Sequence, residues 1–321
     1  MSNKIRHLAA AVAAALLSCD TPLQEQYVLA SQSSLPEGVA YDAESQTFFA
    51  TAVRGGELTR ISPLGQEHVF YRHEDPGVSF LGAEVDGARR RLWVCEVDMR
   101  GPQPASRVVA FDLEEARPVI GLELPPRAYC NDVAVAADGS VYASDSAQPN
   151  IYKVDADGAR VGVFATDARF APALAGQLGL NGLAVAPDGE SLLVVRMSSP
   201  ALLRVGLDDP REVSAVGLTG DAFGLPDDPR FPGPDGVAFL GESLYVAFDG
   251  GVQEVAFVGE GHRRASVRTT TAVPRGLSSL TVTEDGQLYA IDSEAYRVLY
   301  EGRPAELPFR IVRVDLGSFD D

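Results

Sequence analysis

Asn131-Asp132-Val133-Ala134-Val135-Ala136-Ala137-Asp138-Gly139-Ser140-Val141-Tyr142-Ala143-Ser144-Asp145 is the stretch that decides the fold. A polar pair opens a short apolar run, Ala137-Asp138-Gly139 breaks it, and a second apolar run follows. Asp-Gly tolerates positive backbone dihedrals and favours tight hairpins, so these residues read as two antiparallel strands. The pattern continues through 150–154, a turn at 155–158 and a last run at 160–166. Together they make one four-stranded unit.

The opening phrase recurs along the chain. Glu37-Gly38-Val39-Ala40-Tyr41-Asp42, Asn181-Gly182-Leu183-Ala184-Val185-Ala186 and Asp235-Gly236-Val237-Ala238-Phe239 are full copies. Leu81-Gly82-Ala83-Glu84-Val85-Asp86 and Ser278-Ser279-Leu280-Thr281-Val282-Thr283 are weaker ones in the same register. The openings at 37, 81, 131, 181, 235 and 278 lie 44, 50, 50, 54 and 43 residues apart. A period of that size marks a propeller of four-stranded blades. Asp-Gly also follows the opening strand at 86–87, 188–189 and 285–286, and helical periodicity is nearly absent beyond the N-terminal segment. The expected fold is all-β: a six-bladed β-propeller of four-stranded antiparallel blades. The sixth repeat lacks an outer strand if 309–316 is its third. The segment 25–31 is placed to supply it, closing the last blade with an N-terminal strand and removing two open sheet edges. The propeller domain is therefore expected over 24–318, with a loose tail at 319–321.

Equivalent positions in radial blades converge near one axis. Glu37, Asn131, Asn181 and Asp235 are thus expected to meet around a central pore, offering two carboxylates and two amide oxygens. Hard cations, calcium above all, take six to eight such oxygens. No histidine stands at an opener (His7, His68, His73 and His262 lie elsewhere), and Cys130 alone makes no thiolate cage, so zinc and copper are disfavoured. Taken singly, each of the four also reads as a turn-capping or surface residue; the shared register is what joins them. Strand direction then puts the second-to-third-strand loops at the same mouth: 53–55, 97–101, 144–149, 196–199, 249–250 and 292–296. The long Pro/Gly/Asp-rich loop 221–234 is the first choice for a substrate-covering element.

Residues 1–18 read as a targeting segment. Lys4 and Arg6 precede an apolar run, 8–17, too short to span a bilayer. Leu16-Leu17-Ser18-Cys19 resembles a bacterial lipobox, which makes Cys19 the candidate lipidated N-terminus and 19–23 a tether. An ordinary secretory signal is the alternative. Either places the chain in a bacterial cell envelope, lipid-anchored on the periplasmic side, or secreted. Asp20 bears on inner- versus outer-membrane retention and leaves it open. The formal charge of −18 disfavours nucleic acid and anionic lipid surfaces as partners. The expected partners are a small-molecule substrate and, through the lipid alone, a membrane; the expected state is monomeric. Cys95 and Cys130 fall in neighbouring repeats. Two small buried thiols are the favoured reading, with a disulfide as the alternative.

Glu-Gly with its apolar-Asp strand, Asn131-Asp132, Asn181-Gly182-Leu183-Ala184 with Pro187-Asp188-Gly189, and Pro234-Asp235-Gly236 resemble the regucalcin/gluconolactonase (senescence marker protein) superfamily. The resemblance covers most of the chain beyond the N-terminal segment. It implies a six-bladed propeller with one divalent metal, usually calcium, and lactone hydrolysis. By motif, Glu37, Asn181 and Asp235 correspond to metal ligands, Asn131 to a metal- or substrate-binding residue, and Asp235 also to a general base. Water activated by the metal is the alternative to Asp235 as base. Sugar lactonases carry an arginine two residues before Asn-Asp. Here that position is Tyr129, with Arg127 the nearest arginine. Val194-Val195-Arg196-Met197 replaces the family's Ala-Asp-Ser/Thr segment. Tyr129, Arg127 and Arg196 are accordingly the candidate substrate-binding residues. The leading expectation is a calcium-dependent hydrolase of lactones or similar esters. A non-catalytic propeller lipoprotein binding a ligand at the same mouth, and a phosphotriesterase-like hydrolase, are the alternatives.

Overall fold

The computed structural model describes residues 21–174, 176–224, 233–248, 250–270, 276–299 and 301–317. The targeting segment, Cys19, most of the 221–234 loop (225–232), Asp249 and the tail lie outside them.

Six sheets radiate from a central channel. Blade one is β2 (Pro36–Asp42), β3 (Thr47–Ala52), β4 (Glu57–Ile61) and β5 (Glu67–Arg72). Blade two is β6 (Val78–Asp86), β7 (Arg91–Asp98), β8 (Ala105–Asp112) and β9 (Arg117–Glu123). Blade three is β10 (Cys130–Val135), β11 (Val141–Asp145), β12 (Asn150–Val154) and β13 (Val161–Thr166). Blade four is β14 (Leu180–Val185), β15 (Ser191–Arg196), β16 (Ala201–Gly206) and β17 (Val213–Ala215). Blade five is β19 (Val237–Leu240), β20 (Ser243–Phe248), β21 (Gly251–Phe257) and β22 (Arg264–Thr270). Blade six is β23 (Leu277–Val282), β24 (Leu288–Asp292) and β25 (Arg310–Arg313), closed by the N-terminal β1 (Gln26–Val28). Tyr27 pairs with Ile311 in that antiparallel closure, and the Tyr289 hydroxyl donates to the Gln24 carbonyl at 2.8 Å. Blade five departs from the expected four strands. The short β18 (Gly217–Gly220) adds a parallel fifth strand outside β22.

Each second strand is apolar on both faces because a propeller blade is covered on both sides. Successive strand residues point to opposite faces. Leu192 and Val194 of β15 therefore pack toward blade three, while Leu193 and Val195 pack toward blade five. Likewise Leu92 and Val94 of β7 face blade one, and Trp93, Cys95 and Val97 face blade three. Six such apolar clusters, one between each pair of neighbouring blades, make a core that runs around the channel. Truncating a fully buried residue such as Leu193 to alanine costs about 2–5 kcal/mol on this packing.

Tight turns follow the inner strands as the Asp-Gly pairs require. Gly139, Gly189 and Gly286 all have positive φ and donate their N–H to the carbonyl three residues back. Asp86-Gly87 behaves differently. Asp86 caps a single 3₁₀ turn, Gly87–Arg89, and Arg90 takes the left-handed conformation instead.

Cys95 and Cys130 form a disulfide across blades two and three, with Cα atoms 5.4 Å apart. This corrects the expectation of two unpaired thiols. The bulged start of β10 brings both side chains into one interblade cluster, a proximity that linear spacing does not contain.

Candidate active site

Five of the six inner strands carry a register shift at their opener, between Pro36/Val39, Phe80/Ala83, Cys130/Val133, Leu180/Leu183 and Leu277/Ser279. A bulge leaves residues out of the ladder and re-aims their side chains. Asp235 stands just ahead of β19, its N–H bonded to the Ala247 carbonyl at 2.8 Å. The residue after each opener decides how closely blades approach. A methyl group on Gly38, Gly82, Gly182 or Gly236 would collide with the next blade's backbone at Leu81, Asn131, Asp235 or Ser278. Blade three has Asp132 at this position and blade six has Ser279. The Asp132 carboxylate accepts the Leu183 N–H at 3.2 Å, and the Ser279 hydroxyl accepts the Val39 N–H at 3.4 Å.

All six openers, Glu37, Leu81, Asn131, Asn181, Asp235 and Ser278, line one cavity of about 680 Å³, counting space open to solvent. The four oxygen-bearing residues are thus gathered at one mouth, with Asn131 and Asn181 only 5 % and 2 % exposed. Burial pushes the Glu37 carboxyl well above the ordinary range, helped by the charges of Asp235 and Asp132. Burial raises Asp235 too, again with Asp132, against a hydrogen bond from the Asn181 side chain. Deeper in the channel, burial pushes Asp132 up to about 7 and Glu84 up to about 8. Backbone N–H groups of Val133 and Leu183 on Asp132, and of Val135 on Glu84, oppose that rise.

Glu37 Oε2 and Asn131 Oδ1 are buried acceptors with no hydrogen-bond donor among the described residues. Orphaned oxygens of this kind are costly unless a cation or water meets them. No cluster of three or more His, Cys, Asp or Glu in metal-holding geometry occurs among the described residues. The openers instead offer two carboxylates and two amides. That donor set suits a hard ion and not zinc.

Of the three candidate substrate-binding residues, only Tyr129 lines the cavity; its N–H donates to Asp145 Oδ1 at 3.0 Å. Arg127 is exposed, in a left-handed backbone conformation, outside the lining. Arg196 also stays out. Its Nε and Nη2 donate to the Ser199 carbonyl at 3.1 and 2.8 Å, and its Nη1 donates to the Arg169 carbonyl at 3.0 Å. With its guanidinium spent on backbone, Arg196 does not reach the mouth. The sequence places 292–296 at the mouth, as found, but not the helix there or the residues beyond 296. The connection from β24 to β25 carries the short helix α1 (Ala295–Leu299), and Ser293, Glu294, Ala295, Arg297 and Leu299 line the cavity. Arg297 Nη1 bonds Glu294 Oε2 at 2.9 Å and Glu306 Oε1 at 2.8 Å, both Arg297 and Glu294 being buried. The helix's signal was length: 293–309 is far longer than the other second-to-third-strand loops. Of 221–234, residues 221–224 are described at one end, with the Gly224 N–H on Gln253 Oε1 at 2.8 Å, and 233–234 at the other, leading into the cavity-lining Asp235.

The fold and this mouth define a lactonase-like six-bladed propeller. The profile of the SMP-30/Gluconolactonase/LRE-like region matches residues 35–275. The chain belongs to that family. Among solved structures it is similar to the major allergen Mala s 1 of Malassezia sympodialis, with 18 % identity, a TM-score of 0.71 and coverage of 92 % of this chain and 97 % of that one. A gluconolactonase of Xanthomonas campestris matches at 18 % identity and a TM-score of 0.60, covering 88 % and 87 % of the two chains. A luciferin-regenerating enzyme matches at 13 % identity and a TM-score of 0.61, covering 91 % and 95 %. At these identities the likenesses speak to fold alone. A search of curated proteins finds no match.

Proposed function

We propose that this protein is a divalent-metal-dependent hydrolase, calcium being the fitting ion, that opens a lactone or a similar ester at the channel mouth. The observation that carries this reading is the pair of orphaned acceptors, Glu37 Oε2 and Asn131 Oδ1, in one cavity with Asp235 and Asn181. Those four residues would hold the ion. When bound, calcium supplies Lewis-acid polarisation of the carbonyl and stabilises negative charge growing on its oxygen.

The chain's own groups do the rest. Asp235 takes the proton from water as the water oxygen bonds to the carbonyl carbon; the Asn181 side chain, bonded to that carboxylate, fixes its orientation. The adduct then breaks its bond to the ring oxygen, which leaves with the proton that Asp235 had taken, so Asp235 is restored as a carboxylate and the product is a hydroxy acid. Asn131 orients the substrate or the water. Helix α1, pinned by Arg297 to Glu294, limits water at the mouth and keeps these interactions in a low-dielectric setting. Asp235→Asn tests the assignment. Turnover of a lactone or aryl-ester panel should fall by at least about a hundredfold, with the circular dichroism spectrum unchanged. An active, folded variant removes Asp235 from the reaction.

A further inference from the structure

We infer that the substrate carries an alkyl or aryl group, and that the mouth is built to bury it. This inference rests on the hydrolase reading above and names its substrate class. The cavity's lining is of two kinds: the oxygen cluster, and the apolar side chains of Val53, Leu81, Leu178, Met197, Leu277 and Leu299. Leu299, on α1, is 44 % exposed while still lining the cavity, and Leu178 is half-buried. Large apolar side chains left open at a concave mouth gain when an apolar ligand covers them.

Most polar groups of the wall are already engaged, Arg297 Nε being a buried donor without a partner among the described residues. The Ser278 hydroxyl donates to the Glu37 carbonyl at 2.6 Å, and the Ser293 hydroxyl accepts the Ala295 N–H at 3.0 Å. Arg297 is tied to Glu294 and Glu306. Arg196 is bound to backbone outside the site. A polyhydroxylated lactone ring brings several hydroxyl groups, and each one buried without a partner lowers affinity roughly tenfold. This wall leaves most of them unmet, whereas it accepts methylenes.

The test is a chain-length series read in two ways. δ-Valerolactone and its alkyl-substituted homologues are compared with glucono-δ-lactone for kcat/KM. The matching δ-lactams, which are not turned over, are titrated calorimetrically into the calcium-loaded protein. Affinity for the lactams should rise about fourfold per methylene over the first few carbons, and kcat/KM should rise in parallel, with glucono-δ-lactone poorest. Leu299→Ser and Leu178→Asn should flatten both slopes. Leu299 is exposed enough for its replacement to fold. A flat lactam series, or glucono-δ-lactone preferred over the alkyl lactones, overturns the inference. A steep lactam slope with no lactone hydrolysed upholds the apolar wall and sinks the hydrolase reading instead.

Discussion

Glu37 and Asp235 share a cavity with few donors, and both carboxyls are pushed up by burial and by Asp132. A carboxyl raised in the fold keeps a proton that the unfolded chain has released, so stability is lost as pH rises through that window. Without metal, Asp235→Asn should therefore raise the melting temperature at pH 8 relative to the parent. With calcium the order should reverse. An ion at a hundred times its Kd adds about 2.7 kcal/mol to the parent, and the variant gains little; melting curves with chelator and with calcium read both. Glu84 isolates the pH effect away from the ligands. Its carboxyl moves from 4.5 to about 8, so between those values the parent loses stability as pH rises. Glu84→Gln keeps an oxygen for the Val135 N–H. It should flatten urea midpoints between pH 5 and 8 and exceed the parent above pH 8 by a few kcal/mol; parallel profiles would contradict the assignment. At this scale Glu37, Asn131, Asn181 and Asp235 were legible because repeats make distant residues equivalent. Arg196 lies outside the cavity lining, held by the carbonyls of Ser199 and Arg169, partners that a string of residues does not reveal.

Helix α1 is too short to hold itself together, since five residues lie far below what an isolated helix needs. The Arg297 pairs anchor it. Removing one partner of a buried pair leaves a charge stranded, so Arg297→Met should cost about 3 kcal/mol and speed amide exchange through α1. Unchanged exchange would show that the roof is held otherwise. The disulfide ties β7 to β10, spanning 35 residues. Replacing both cysteines by serine should lower stability by about 2–4 kcal/mol, measured by denaturant unfolding, while leaving the mouth's metal affinity in place. Neither element followed from the repeat. The roof is an insertion inside one blade, and the disulfide depends on a distance set by the bulge at the start of β10.

The propeller as a whole was written plainly in the chain, because period, Asp-Gly turns and apolar runs all point to the same architecture. The closure of blade six by β1 followed from counting strands and from the cost of open edges. What counting could not supply was the parallel β18, added on the outer side of blade five where no repeat demands a strand. The circular arrangement matters to function because it alone brings blades one, three, four and five to a common mouth. Calcium titrated calorimetrically into chelator-stripped protein tests this most directly, in parallel with Asp235→Asn and Asn131→Ala. One ion should bind per parent chain, with affinity lost or sharply reduced in both variants. A parent that takes up no divalent ion, or variants that bind as the parent does, would contradict the account.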